Sequence, residues 1–391
     1  TAQGTYVIHW TYTDAAGNTA TQNQTVTVDD NTPPTITAPA AVTLNTGAGA
    51  TSCGVTVSNL DAALGTASAS DNCSGVTVAR SGVPAGNVFP LGQTTVTYTA
   101  TDVGGNTASA TQVVTVVDNT PPTLNAPNVV VRNDPGSCSA VVNFTGLSAS
   151  DNCGTANVNT SIPSGSTFPK GTTTVNVTAT HGHGNTTTGS FTVTVNDTEN
   201  PVVNVPANIV VNLPLNSTAT SIAVSYSVTA TDNCGVQSLN VSPASGSVFP
   251  VGTTTVTATA TDTSGNVTTR TFTVTVLYDF TGFFSPVANP PTVNAVNAGR
   301  AIPVKFSLSG NKGLNIFAAD SPFSTPYTCG NVSTVDVSQT VDATANSINY
   351  DASSDQYNFV WKTDSSWVGQ CRTLSVVLND GSTHTALFKF R

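Results

Sequence analysis

The sequence predicts an all-β chain, a tandem of β-sandwiches in an elongated array, and three observations predict it. Thr supplies 69 of the 391 residues, and Thr and Val, both stiff at χ1, favour strands over helices. Stretches such as 94–101 and 111–117 alternate apolar and polar residues, the period-two pattern of half-buried strands. Motifs recur about every 80 residues, a length that suits one sandwich per repeat.

Phe-Pro-x-Gly recurs at Phe89, Phe168 and Phe249, with spacings of 79 and 81. Asp-Asn-Cys recurs at Asp71, Asp151 and Asp232, and Gly-Asn at Gly17, Gly105, Gly184 and Gly265. Three of those Gly-Asn pairs follow an Asp (Asp14, Asp102, Asp262) by three residues. Asp binds nearby backbone N–H groups and Gly tolerates positive φ, so each reads as a hairpin turn. Asp-Asn-Thr-Pro-Pro at Asp30 and Asp118, with a degenerate form at Asp197, stops one ladder and stiffens the step into the next repeat. Seven or so short strands per unit predict an immunoglobulin-like sandwich. Gly4 aligns with Gly92 at a spacing of 88, so the first copy reads as the last two strands of a sandwich. Two strands are marginal in water, and their partners are expected from upstream sequence or from a neighbouring molecule.

These motifs resemble the hyalin repeat (HYR) family over roughly residues 1–277. The resemblance implies an extracellular immunoglobulin-like module used in adhesion or assembly, usually without enzymatic activity. From Tyr278 the pattern changes. The segment Ala301-Ile-Pro-Val-Lys-Phe-Ser-Leu-Ser-Gly310, with Tyr357-x-x-Val-Trp-Lys, Cys371-Arg-Thr-Leu and the closing Phe388-Lys-Phe390, resembles the PxKF domain at the C-terminus of secreted bacterial proteins. That implies a β-rich terminal domain with no catalytic set to carry over. The expected domains are 1–30, 31–118, 119–197, 198–277 and 278–391.

Repeat register pairs Cys53 with Cys73 and Cys138 with Cys153, leaves Cys329 with Cys371, and makes Cys234 a free thiol, with an intermolecular bridge as the alternative, because the third repeat lacks the early Cys. Such bridges place the protein outside the cell or on its surface. No Cys-x-x-Cys pair exists to suggest a metal site. Acidic residues recur at the domain ends, and calcium bound by Asp30, Asn31, Asp71, Asp118, Asn119, Asp151 and Asp197 would stiffen the junctions; turn-making and strand capping are the simpler roles of the same residues. His181 and His183 put two imidazoles on one face, as in a zinc or copper pair. With no third ligand nearby in sequence, a solvated turn is the expectation. No other cofactor is expected.

The chain carries 11 basic and 21 acidic residues, a net charge of −10, which argues against nucleic acid. No run of about 18 apolar residues spans a membrane. No Met occurs, so the chain is expected to be a processed product or an excerpt. There is no Gly-x-Ser-x-Gly, His-Glu-x-x-His or phosphate-binding loop, and Glu199 is the only Glu, so no enzyme is expected. Eleven N-glycosylation sequons, among them Asn23, Asn143, Asn176 and Asn331, match chance for this composition; Asn, Ser and Thr all permit glycans.

The leading expectation is the structural subunit of an extracellular bacterial fibre, a head-to-tail homopolymer. Its first strand would present Tyr6, Ile8, Trp10 and Tyr12, or the opposite set Val7, His9 and Thr11, to a copy of itself. The alternatives are an adhesin stalk whose terminal domain binds a surface glycan or protein, and accessory modules of a secreted enzyme. The aromatic residues of the last domain are expected in its core.

Overall fold

The computed structural model describes residues 3–73, 75–330, 334–337 and 348–391. Asn331, one of the sequon positions, lies outside them. The chain is all-β, with one five-residue α-helix, Leu60–Leu64, among the described residues. It divides into two compact units. The first is 1–131 with 139–195, and the second is 132–138 with 196–391.

In the first unit the strands Gly4–Thr13 and Thr19–Val28 form a two-stranded antiparallel hairpin. The next repeat is built on a four-stranded sheet in the order Val42–Asn45, Thr107–Val117, Gly92–Thr101, Thr77–Ser81. The outermost pair, Val42–Asn45 with Thr107–Val117, runs parallel. Short pairs, Thr35–Thr37 with Ser68–Ser70 and Val55–Thr56 with Val88–Phe89, complete it. Alternation puts Val96, Tyr98, Val114 and Val116 inward with Phe89, all nearly fully buried. The following repeat packs Val175, Val177, Phe191, Val193 and Val195 around Phe168 in the same way. The Phe of each Phe-Pro-x-Gly motif is thus the large side chain at the centre of its sandwich.

One polar pair replaces an aromatic one. Where the later repeats set Phe144 against Phe191 and Tyr226 against Phe272, edge to face, the first buries Gln112. Its amide accepts from the Tyr98 hydroxyl at 2.8 Å and donates to the Ala40 and Leu64 carbonyls at 2.7 Å each. Both of its amide protons and one lone pair of its oxygen are thus bonded inside the core, so neither polar atom is left without a partner there.

In the second unit the third repeat repeats the sheet order, with Ile209–Asn212, Val267–Leu277, Gly252–Asp262 and Val236–Ser242. The C-terminal domain has a four-stranded sheet around Ala301–Phe306 and Gln356–Lys362. A five-stranded sheet around Cys371–Val377 and Thr383–Phe390 faces it. Trp361 is buried among Trp367, Phe388 and Phe390. Val256, Phe272 and Val276 of the repeat belong to one continuous apolar cluster with Phe283, Phe306 and Phe388 of the terminal domain. Asp380 clasps this seam. It accepts from the Tyr278 N–H at 2.7 Å, while Tyr278 Oη donates to Asn379 Oδ1 at 2.8 Å.

The disulfides differ from the expected pattern. Cys53 bonds Cys153 and Cys138 bonds Cys234, while Cys73 is the free cysteine; the pairs Cys53–Cys73 and Cys138–Cys153 do not form, and Cys234 is not a free thiol. Cys329 and Cys371 are bonded. The physical reason is position along the sandwich. Cys73 follows the strand Ser68–Ser70 and lies beside Asp30, where the chain enters its repeat. Cys53 follows Thr46 and Gly47, which are bonded to Asp118, Asn119 and Thr120 where the chain leaves the repeat, and Ser52 beside it accepts from Asn152 of the next repeat. The two sulfurs of one repeat therefore lie at opposite ends, and each early Cys meets the Asp-Asn-Cys of the repeat that follows.

Candidate functional site: the repeat junctions

Each junction is assembled from three recurring turns. The first is the hairpin Asp-x-x-Gly-Asn. Asp102 accepts from Asn106 through both backbone N–H (2.8 Å) and side-chain amide (2.9 Å). Asp14 with Asn18 and Asp262 with Asn266 repeat that clasp. The Gly between them takes φ near +90° in all of these turns (Gly17 +91°, Gly105 +89°, Gly184 +93°, Gly265 +90°), which side-chain-bearing residues resist. The clasped Asn turns its amide outward to the incoming chain, as Asn106 does to the Asp30 carbonyl at 2.8 Å. Asn185 does the same to the Asp118 carbonyl at 3.1 Å.

The second turn is the junction aspartate itself. Asp30 Oδ1 accepts from Thr32 N, and Asp118 Oδ1 from Thr120 N and the Thr46 hydroxyl. Asp197 accepts from Glu199 N and from the Ser264 hydroxyl. Burial opposes ionisation of Asp118. The Thr120 N–H, Thr46 hydroxyl, His181 and Asn185 outweigh it and hold its carboxyl below the usual range. The third turn is Asp-Asn-Cys, in which the Asp carboxylate accepts from the Cys N–H: 2.7 Å at Asp71, 2.9 Å at Asp151 and 2.8 Å at Asp232. The Asn then reaches the preceding repeat. Asn152 donates to the Ser52 carbonyl at 3.1 Å and Asn233 to the Ser137 carbonyl at 2.8 Å, in each case the residue before the bonded Cys.

These turns bring carboxylates together. Asp197, Asp232 and Asp262 place oxygens within 4.8 Å of one another, and so do Asp118 and Asp151 with the sulfur of Cys153, and Asp30 and Asp71 with that of Cys73. The Cys153 sulfur is committed to its disulfide. Of the residues named from the sequence, Asp30 is thus brought beside Asp71 and Asp118 beside Asp151, while Asp197 stands with Asp232 and Asp262. Asn31 and Asn119 do not join them. Asn31 is exposed, and Asn119 Oδ1 accepts from Gly47 N instead. Asp232 and Asp262 were not singled out as ligands, although their place in repeated motifs matches that of Asp151 and Asp102. At Cys73 a hydrogen bond from the thiol to Asp30, burial and the charges of Asp30 and Asp71 push the thiol up, which keeps it protonated and slow to react.

At the N-terminal hairpin Tyr6, Ile8, Trp10 and Tyr12 are 42, 42, 48 and 65% exposed. They lie on one strand at alternate positions and so share a face. In the terminal domain the Trp367 ring lies under the Arg372 guanidinium, 4.1 Å from its centroid.

Comparison with known proteins finds the model of the HYR domain over residues 29–116, 117–195 and 196–276. Hyalin of Strongylocentrotus purpuratus is 35% identical over 308 residues, covering 75% of this chain and 24% of that protein. Hyalin of Lytechinus variegatus is 34% identical over 259 residues, covering 64% and 47%. The chain thus spans less than half the length of these relatives. Among solved structures, the protocadherin GammaB4 extracellular domain matches with a TM-score of 0.29 and 15% identity, covering 99% of this chain and 72% of that one. Mouse cadherin-23 EC22-24 matches with a TM-score of 0.30 and 14% identity, covering 63% and 99%.

Proposed function

This chain belongs to the HYR domain family, and on that premise we propose that it is a non-catalytic structural protein of the extracellular space whose repeats are covalently stapled one to the next. The observation that carries the reading is the cystine pattern. Cys53–Cys153 and Cys138–Cys234 each cross from one family repeat to the following one, a device suited to an oxidising compartment and to load along the chain. The finer reading is a fibre subunit of a bacterium that assembles head-to-tail. The exposed face of Tyr6, Ile8, Trp10 and Tyr12 would complete its sandwich with strands from another copy, the PxKF-like domain 278–391 being the partner. Backbone pairing would supply much of the affinity and the aromatic side chains a core.

Electron microscopy of the purified chain tests this directly. Regular fibres that disappear when residues 1–29 are deleted are the expected result, and fibres that persist in the deletion would refute the hairpin as the contact. A second reading has one observation in its favour, the greater length of the hyalin relatives. In it the hairpin's partners are further repeats of the same polypeptide, and the molecule is an adhesive stalk; separate single particles would support it.

Calcium at the third junction belongs to the same proposal. Asp197, Asp232 and Asp262 offer oxygen alone, the donor set a hard cation takes. Asp232 Oδ2 is buried with no hydrogen-bond partner among the described residues. Added calcium is expected to raise the melting temperature and a chelator to reverse it; identical melting curves in both conditions would remove calcium from the proposal.

A further inference from the structure

The second junction departs from the other two in its chemistry. The hairpin position held by Asp102 and Asp262 is His181 here, and the position two further on, Gly104 and Ser264 elsewhere, is His183. That second position faces the junction aspartate: a Cβ on Gly104 would stand 2.9 Å from the Asp30 carbonyl oxygen, and the Ser264 hydroxyl donates to Asp197 Oδ2 at 2.7 Å. In the second junction it brings an imidazole. His181 Nδ1 lies 3.2 Å from Asp118 Oδ2 and 3.3 Å from His183 Nδ1. His181 and Asp118 are buried, while His183 lies at the surface.

Those separations match the edge of a coordination tetrahedron. Bonds of about 2.0–2.1 Å from zinc to nitrogen or oxygen place neighbouring ligand atoms about 3.3 Å apart. A separate observation points to a cation in the same place. The Asp151 side chain is fully buried, with Oδ1 3.7 Å from His181 Nδ1, and its Oδ2 has no hydrogen-bond partner among the described residues. A buried carboxylate oxygen left unpaired is costly. Asp118 is also held as a ligand would be, since Thr46 and Thr120 fix its Oδ1 and Asn185 donates to its Oδ2 at 3.1 Å.

We propose that Asp118, His181 and His183 form a zinc site at the junction between the first and second family repeats, with Asp151 as the fourth ligand. Two imidazoles and carboxylates select zinc or another late divalent transition metal over calcium, which takes oxygen ligands. The ion would tie Asp118, where the chain enters the second family repeat, to His181 and His183 in the hairpin of that same repeat, adding a metal clip beside the Cys53–Cys153 staple.

The test uses the untagged full chain carrying Cys73→Ser, so that the thiol beside Asp30 contributes nothing, after treatment with a chelator. Titration with zinc against a chromophoric competitor should give one tightly held ion per chain. His183→Gln, a change at an exposed position, should weaken binding about 100-fold while leaving the metal-free melting temperature unchanged. Cobalt in place of zinc should give the intense visible bands of a tetrahedral site, absent in His183→Gln. Zinc binding no tighter than that of His183→Gln, or zinc displaced by equimolar calcium, would overturn the proposal.

Discussion

Digestion of the unreduced protein before its aspartates is expected to yield the Cys53 and Cys153 peptides as one linked species and those of Cys138 and Cys234 as another. Cys73 should be alkylated. Asp61 and Asp71 separate Cys53 from Cys73, while Asp151 separates Cys138 from Cys153, so the two pairing schemes give different masses. A Cys53–Cys73 linked pair would refute the structure's connectivity. The energetic consequence is large. The bridges span 100 and 96 residues, and a closed loop of that length is worth about 4.7 kcal/mol in the chain-entropy model. Each of the first two repeats has a core of its own, so part of that stabilisation falls on contacts between repeats. Cys53→Ser with Cys153→Ser should therefore cost about 2–4 kcal/mol in denaturant unfolding, and amide exchange should rise first at the Asn152–Ser52 contact.

The connectivity shows where sequence reasoning stopped. Strand alternation, the Phe of Phe-Pro-x-Gly and the Asp-x-x-Gly-Asn turns act within about 20 residues, and their consequences for the fold could be read from the chain. Pairing of cysteines depends on which end of a sandwich each occupies, and that follows only once Ser68–Ser70 is seen to pair with Thr35–Thr37 at the entry side. A signal was nonetheless present. The third repeat lacks the early Cys and the terminal domain lacks Asp-Asn-Cys, which is what a link from each repeat to the next requires and what a link within each repeat leaves unexplained. For His181 and His183 the third ligand was invisible because Asp118 lies more than 60 residues earlier and is held there by the Asn185 amide, which donates to its carbonyl and its carboxylate. The core shared by the third repeat and the terminal domain was likewise not legible, since its apolar residues alternate like those of any isolated sandwich.

That shared core leads to the second large effect. Asp380→Ala is expected to destabilise the second unit by about 4 kcal/mol, because bonds to a charged acceptor are worth roughly 1.5–3 kcal/mol each and a stranded buried donor adds its own cost. Asp380 is 1% exposed. Besides the Tyr278 N–H it accepts from the Ser382 N–H at 2.7 Å and the Ser382 hydroxyl at 2.6 Å, which shape the turn between the last two strands. Calorimetry should show the third repeat and the terminal domain melting together in the parent protein; two separated transitions there would contradict a common core. The same turn carries a pH dependence. Burial pulls His384 below its usual value, with Asp380 opposing. Phe280 stacks on its ring, the centroids 3.6 Å apart, and the Ser382 hydroxyl lies 2.9 Å from Nε2. The fold therefore prefers the neutral imidazole, and the unfolded chain binds the proton more readily. Its contribution is complete above an unfolded pKa of about 6.5 and falls away as pH drops below that toward the folded value. The melting temperature of this unit should fall as pH drops below about 6.5, before the carboxylates titrate, and His384→Gln should flatten that part of the profile. An unchanged slope in the variant would assign the acid sensitivity to other groups.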